Sequence, residues 1–150
     1  KMNPPLRTKE DVEALQKGLA DDIMDVIATD HAPHAASEKD QGIQKAPFGI
    51  VGLETAAALT YTALVKPGIL TPMQMAEKMS YNPAKILGLD KGTVEAGSPA
   101  DLTIFDPECE WVIDPAEFLS KGKNTPFGGK KVTGKVMATI VDGEIVYQEK

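Results

Sequence analysis

Between two aspartates, Asp25 and Asp30, lies Val26-Ile27-Ala28-Thr29, an apolar run too short to make a helix. A strand with one face in water would alternate polar and apolar residues, and this run does not. It reads instead as a strand covered on both faces, the condition of a parallel sheet flanked by helices. A long polar loop follows, from Asp30 to about Gly49.

The flanking segments supply those helices. Pro4-Pro5 keeps the first residues out of a helix or a central strand. Thr8 is a capping residue, Glu10 and Asp11 suit a helix amino terminus, and Val12, Leu15 and Leu19 fall at helical spacing, with Gly18 weakening the end. Gly52 to Val65 reads as a second helix ended by Pro67-Gly68. Thr71-Pro72 opens a third, and Asn82-Pro83 repeats the start signal for a short helix through Leu87, stopped by Gly88. Helix, strand, long loop, helix is the rhythm of a parallel α/β fold.

Past Gly88 the punctuation changes. Glycines and prolines separate short strand-type runs at Asp101–Phe105, Trp111–Ile113, Lys135–Val141 and Ile145–Tyr147. Asp142-Gly143 is a hairpin turn signal between the last two. The chain is therefore expected to divide near residue 88, with an α/β part over 1–88 and an all-β part over 89–150.

Composition excludes several classes of function. A formal net charge of -6 speaks against a nucleic-acid backbone as partner. The longest apolar stretch, Leu53 to Val65, is interrupted by polar residues and is too short to cross a bilayer, so no membrane partner is expected. Cys109 is the single cysteine, which rules out an intrachain disulfide and a cysteine-rich zinc site and suits a cytoplasmic protein. The opening Lys1-Met2-Asn3-Pro4-Pro5 looks like entry into the middle of a fold, and the chain is expected to be a fragment.

The chemistry is expected where the loop leaves the strand, since α/β enzymes place their sites at the carboxyl ends of parallel strands. Asp30 stands at that junction. A carboxylate there can ligate a divalent metal and take a proton from metal-activated water. His31 and His34, the two histidines of the chain, lie within the same few residues. A lone aspartate after a strand is more often a turn residue, and Asp-His-Ala-Pro-His does not make a complete metal motif. The apolar remainder reads as packing: Met73, Met75 and Met79 on helix faces, and Trp111 in a sandwich core or interface. Lys130-Lys131 reads as a solvated turn.

Taken in order, Asn3-Pro4-Pro5-Leu6-Arg7, Ala28-Thr29-Asp30-His31-Ala32-Pro33-His34, Ala46-Pro47-Phe48-Gly49, Asn82-Pro83-Ala84, Gly97-Ser98-Pro99-Ala100-Asp101-Leu102 and Asn124-Thr125-Pro126-Phe127 form a specific set. The set resembles the carboxy-terminal third of the bacterial dihydroorotase family, within the amidohydrolase superfamily. The resemblance implies the last sector of a (β/α)8 TIM barrel followed by part of a small β-sandwich domain. It implies that Asp30 is a zinc ligand and general base, that His34 binds the substrate carboxylate, that Asn3 hydrogen-bonds the substrate, and that Phe48 and Gly49 contact its ring. His31 is held back from the site, since orienting its neighbours and touching the substrate are equally open to it, and Arg7 is expected to pair with a nearby acid.

The implied reaction interconverts N-carbamoyl-L-aspartate and (S)-dihydroorotate, with one or two zinc ions. The remaining metal ligands, among them a His-x-His pair, would lie upstream of this chain. The implied partners are that missing amino-terminal part and further copies in a homo-oligomer, and the fragment alone is expected to be inactive. Allantoinase or hydantoinase activity, or a non-catalytic scaffold, are the alternatives.

Overall fold

The structure is a computed structural model and describes residues 1–149. Thr8 caps the first helix, α1 (Lys9–Ala20), as expected, through a reciprocal box in which the Asp11 carboxylate accepts from the Thr8 backbone N–H at 3.2 Å. Arg7 pairs with Asp11 at 3.4 Å, the surface use anticipated for it. Two short helices, α2 (Ala36–Lys39) and α3 (Gly42–Lys45), interrupt the long loop. The next helix, α4 (Ala56–Thr60), passes without a break into a π-helical turn, Tyr61–Val65. It begins later than the Gly52 start expected, because Gly52 and the residues after it form a turn.

From Thr71 the chain departs from expectation more sharply. Thr71 caps α5 (Pro72–Ala76) as foreseen, but α5 continues through a π turn, Glu77–Tyr81, directly into α6 (Asn82–Leu87). Asn82-Pro83 does not start a separate helix. Pro83 lacks an N–H, and its ring crowds the carbonyl four residues back in an α-helix; the wider π turn relieves that conflict without stopping the rod. The side chain of Asn82, free of capping, donates to the Asp25 carbonyl at 2.9 Å. Gly88 ends the helix in the left-handed region, as predicted.

The segment read as a buried strand has no ladder partner, so it is not a β-strand in this chain, and it is not covered on both faces: Val26, Ile27 and Thr29 are half-buried and Ala28 is exposed. Strand pairing needs a neighbour, and here helices α5–α6 stand in for one. The Ile27 N–H donates to the Lys78 carbonyl at 3.0 Å. The fully buried Lys78 ammonium donates to the Met24 carbonyl and to Asp22, both at 2.7 Å. Leu19, Leu64, Val65 and Leu70 form a core here, with Ile27, Tyr61 and Met75 against it. Met73, expected to pack, is 77% exposed.

The remaining strands make one antiparallel sheet in the order β1 (Leu102–Val112), β2 (Lys131–Val141), β3 (Glu144–Gln148). The two short strands expected within β1 are one strand whose register slips between Asp106 and Glu110. Pro107 cannot donate to the ladder, which accounts for both the slip and the gap read in the sequence. Asp142-Gly143 turns the β2–β3 hairpin with both residues at positive φ. Asp101 steadies that turn by accepting from the Asp142 N–H at 2.8 Å, and the Lys91 ammonium hydrogen-bonded to it holds its carboxyl below the usual carboxylate range.

Gly134 lets β2 lie against the Phe105 ring: a Cβ there would fall 2.3 Å from the ring edge. Trp111 is half-buried and donates to the Gly134 carbonyl at 2.9 Å. Lys131 pairs with Glu110 at 2.7 Å, so this half of the Lys130-Lys131 pair is an ion-pair partner.

The sheet and the helical part share a second core. Val51 and Ala58 meet Ile113, Phe118 and Val132, with Leu59, Trp111 and Phe127 packed around them. The Thr62 hydroxyl bridges to β2, donating to the Thr133 carbonyl and accepting from its N–H. The whole exposes 10047 Å², against about 7,400 Å² for a compact monomer of this mass. The excess includes apolar side chains on α1 (Val12, Leu15) and on β3 (Ile145, Val146).

Because the fully buried Lys78 side chain satisfies the Met24 carbonyl, Lys78→Met is expected to cost about 1.5–3 kcal/mol, the range for a hydrogen bond to a charged group. Urea unfolding followed by circular dichroism measures it; an unchanged midpoint would show that the ammonium is not what holds the extended segment.

Candidate active site

Asp30 ends the extended segment with φ at 47° and an exposed side chain. Its neighbours are held on both sides. Thr29 packs on Gly52, where a Cβ would meet the Thr29 side chain at 2.8 Å. The His31 ring accepts from the backbone N–H groups of Gly52 and Leu53 through Nδ1, at 3.0 and 3.4 Å. Nδ1 is thus the acceptor side of the ring, which turns Nε2 away from the α4 turn. His31 orients the turn before α4. The Ala32 N–H then donates to the Ile50 carbonyl at 2.9 Å, closing the base of the loop.

His34 is half-buried. Its Nε2 lies 3.0 Å from the Phe48 carbonyl and must donate there, since a carbonyl only accepts. That leaves Nδ1 on the side of Glu38, 3.9 Å away. Phe48 is half exposed, its ring 4.4 Å from the Lys1 ammonium. Gly49 is buried at φ 107°, a conformation that glycine adopts readily, and a Cβ would sit 2.4 Å from that of Ala32. Its N–H donates to the Lys1 carbonyl at 2.9 Å, which brings the segment bearing the exposed Asn3 against the loop. Lys39 donates to the Pro47 and Gly49 carbonyls at 2.8 and 3.0 Å and places a second ammonium at this wall.

The structure thus joins His34, Phe48 and Gly49 directly and ties the Asn3 segment to them through Lys1. No hydrogen bond among the described residues links the Asp30 side chain to that group. A carboxylate oxygen is a donor type that zinc accepts, and Asp30 presents one to solvent. Among the described residues no three His, Cys, Asp or Glu side chains are grouped to hold a metal. Among the described residues, then, Asp30 stands as an isolated carboxylate with no complete metal cage around it.

One participant was not singled out from the sequence. Asn124, from the segment between β1 and β2, donates through Nδ2 to the carbonyls of Ala32 at 3.0 Å and Gly49 at 3.2 Å, and accepts from the His34 N–H at 3.1 Å. Its own carbonyl accepts from Val51 at 3.0 Å. Asn124 appeared only as part of a matching motif, and no local pattern announces a contact with residues so distant in sequence.

The tight approach at Gly49 generates a prediction. Gly49→Ala should push the two sides of the loop apart and destabilise the protein by about 1–3 kcal/mol. Limited proteolysis should cut faster between Ala35 and Ala46, with a lower melting temperature; unchanged cleavage would mean the loop absorbs the methyl group.

Comparison with known proteins fits this geometry. The profile of the amidohydrolase family matches residues 3–146. Across all 150 residues the chain is 55% identical to a dihydroorotase of Pelotomaculum thermopropionicum and 56% identical to one of Bacillus cytotoxicus, spanning 35% of the length of each. Its structure superposes on an L-hydantoinase (dihydropyrimidinase) of Arthrobacter aurescens with a TM-score of 0.93 at 35% identity, covering 99% of this chain and 34% of that one. For a D-hydantoinase (dihydropyrimidinase) of a Thermus species the TM-score is 0.91 at 30% identity, covering 98% and 33%. The fold is accordingly the last sector of a TIM barrel, followed by the antiparallel strands of a smaller β part. The chain belongs to the amidohydrolase family.

Proposed function

We propose that this chain is the Asp30-bearing segment of a dihydroorotase, which interconverts N-carbamoyl-L-aspartate and (S)-dihydroorotate. The observation that carries the reading is the knitted loop system that follows Asp30. It holds an imidazole, a half-exposed phenyl ring and a glycine backbone together, in a chain 55–57% identical to proteins named dihydroorotase. The hydantoinases that resemble it in structure stand at 28–35% identity, so that alternative has the weaker support.

Opening the dihydroorotate ring adds water across an amide. The hydroxyl joins the carbonyl carbon, the C–N bond breaks, and a proton reaches the leaving nitrogen. Asp30 takes the proton from the attacking water at a carboxylate oxygen and passes it to that nitrogen; ring closure runs the same path backwards. Zinc, when held by Asp30 and by ligands outside residues 1–149, would polarise the amide carbonyl and acidify the water. His34 meets the substrate carboxylate through Nδ1, since its Nε2–H is engaged by the Phe48 carbonyl; the ring must then carry a proton on both nitrogens, which makes the bond a charge-assisted one to an anion. Asn3 offers an amide that can both donate and accept toward the ring, and Phe48 and Gly49 form its wall. Lys39 and Lys1 make that wall locally positive within an acidic chain.

Residues 1–88 then belong to the barrel and 89–150 to the β-sandwich. The surface left open on α1 and β3 is where the rest of the polypeptide, and further copies in a cytoplasmic homo-oligomer, would pack. The segment alone is inactive in this reading, because the other metal ligands lie elsewhere in the polypeptide.

The test uses the full-length parent. Dihydroorotate should be turned over faster than hydantoin or allantoin, and Asp30→Asn should lower kcat by about 10²–10⁴-fold, the usual worth of a general base. Preference for hydantoin or allantoin would move the assignment to that branch. No turnover of any of the three by zinc-loaded parent would leave the scaffold reading.

A further inference from the structure

The segment Leu119–Asn124 lies between β1 and β2, far along the chain from Asp30, yet it forms the back of the candidate site. The backbone N–H groups of Leu119 and Ser120 donate to the Glu54 carboxylate at 2.7 and 3.0 Å. Gly122 is buried against Pro33 and His34: a Cβ would meet the His34 nitrogen and the Pro33 Cα and Cβ, each at 2.8 Å. Asn124 completes the seam with bonds to Ala32, His34 and Gly49.

The amide of Asn124 suits this place in a way no other side chain of its size does. Three partners converge on it, two carbonyls and one N–H, so the site needs two donors and an acceptor in one plane. Aspartate keeps the acceptor and loses both donors, setting a negative oxygen against two carbonyls. Alanine leaves the Ala32 carbonyl and the His34 N–H without that partner, and the Gly49 carbonyl with Lys39 alone. Asp30 is held by other means, through Thr29 on Gly52, His31 on the α4 turn and Ile27 on Lys78. A change at Asn124 therefore acts on the stretch from Ala32 to His34 and on Gly49, and leaves the Asp30 carboxylate in place.

We infer that Asn124, seated by Gly122, is a positioning residue that sets the His34 imidazole and the Phe48–Gly49 wall at the distance required to receive the substrate's carboxylate and ring. This rests on the dihydroorotase reading given above. The two groups it aligns bind the substrate equally before and during reaction, so their misplacement weakens binding and spares the chemical step.

The experiment uses the full-length parent, with kcat and KM for dihydroorotate, bound zinc and melting temperature measured together. Asn124→Asp and Gly122→Ala should each raise KM about tenfold or more, with kcat within about threefold and zinc content unchanged. An unchanged KM in a folded variant overturns the inference. So does a fall in kcat with loss of zinc, since Asn124 would then act through the metal site or the fold. If Asn124→Asp does not fold, Gly122→Ala decides by the same criteria. If the unmodified parent does not turn over dihydroorotate, the dihydroorotase reading fails separately, and hydrogen exchange then decides the brace. Faster exchange in peptides covering Ala32–Ala35 and Phe48–Val51 of Asn124→Ala supports it; exchange equal to the unmodified protein overturns it.

Discussion

An extended segment with no strand beside it must find partners for its backbone elsewhere, and that requirement organises this molecule. The run ahead of Asp30 obtains them from the α5–α6 rod: Lys78 reaches the Met24 carbonyl with its ammonium, takes the Ile27 N–H on its own carbonyl, and Asn82 reaches Asp25. A buried lysine is costly unless its protons are used. Here two of them are used at 2.7 Å, and Asp22 carries the opposite charge at the rim, 77% exposed. The π turn that hosts Lys78 also lets the rod continue through Pro83, so one irregular helix does two things. It keeps Asn82 on the rod with its side chain facing the extended segment, and it gives the end of that segment a fixed address.

The same need for backbone partners recurs in the loop beyond Asp30. A connection this long would leave carbonyls and N–H groups unsatisfied if it were merely laid on the surface. Side chains supply the missing partners: His31 for two N–H groups, Lys39 for two carbonyls, Asn124 for two carbonyls and an N–H. The loop is thereby fastened at intervals, leaving the Asp30 carboxylate and the Phe48 ring exposed while the backbone beneath them is fixed.

Local chemistry was the legible portion of the sequence. Thr8, Thr71, Gly88 and Asp142-Gly143 act where their own geometry demands, and each could be placed from its immediate neighbours. Asp30 could be set at the end of an apolar run for the same reason. What failed depended on partners outside the local window. Val26 to Thr29 has the composition of a strand but lacks a neighbour to pair with. Asn82-Pro83 carries a start signal that the preceding π turn overrides. Pro107 looked like a terminator and is a slip within β1. Met73 has a packing pattern but no surface opposite it. Asn124 is the clearest case, since an asparagine in a turn looks like a turn residue until the fold brings three distant groups to it.

The core shared by Val51 and Ala58 with Ile113, Phe118 and Val132 has a consequence for engineering. A chimaera of two amidohydrolases joined at Gly88 would graft the strands of one onto helices shaped for the other. Complementary volumes at those five positions would have to travel together, along with the pair Thr62 and Thr133 and the contact of Gly122 with Pro33. Exchanged as a set, the halves would keep their seam; exchanged singly, a mismatch of one methylene there would be felt across the loop that carries the carboxylate.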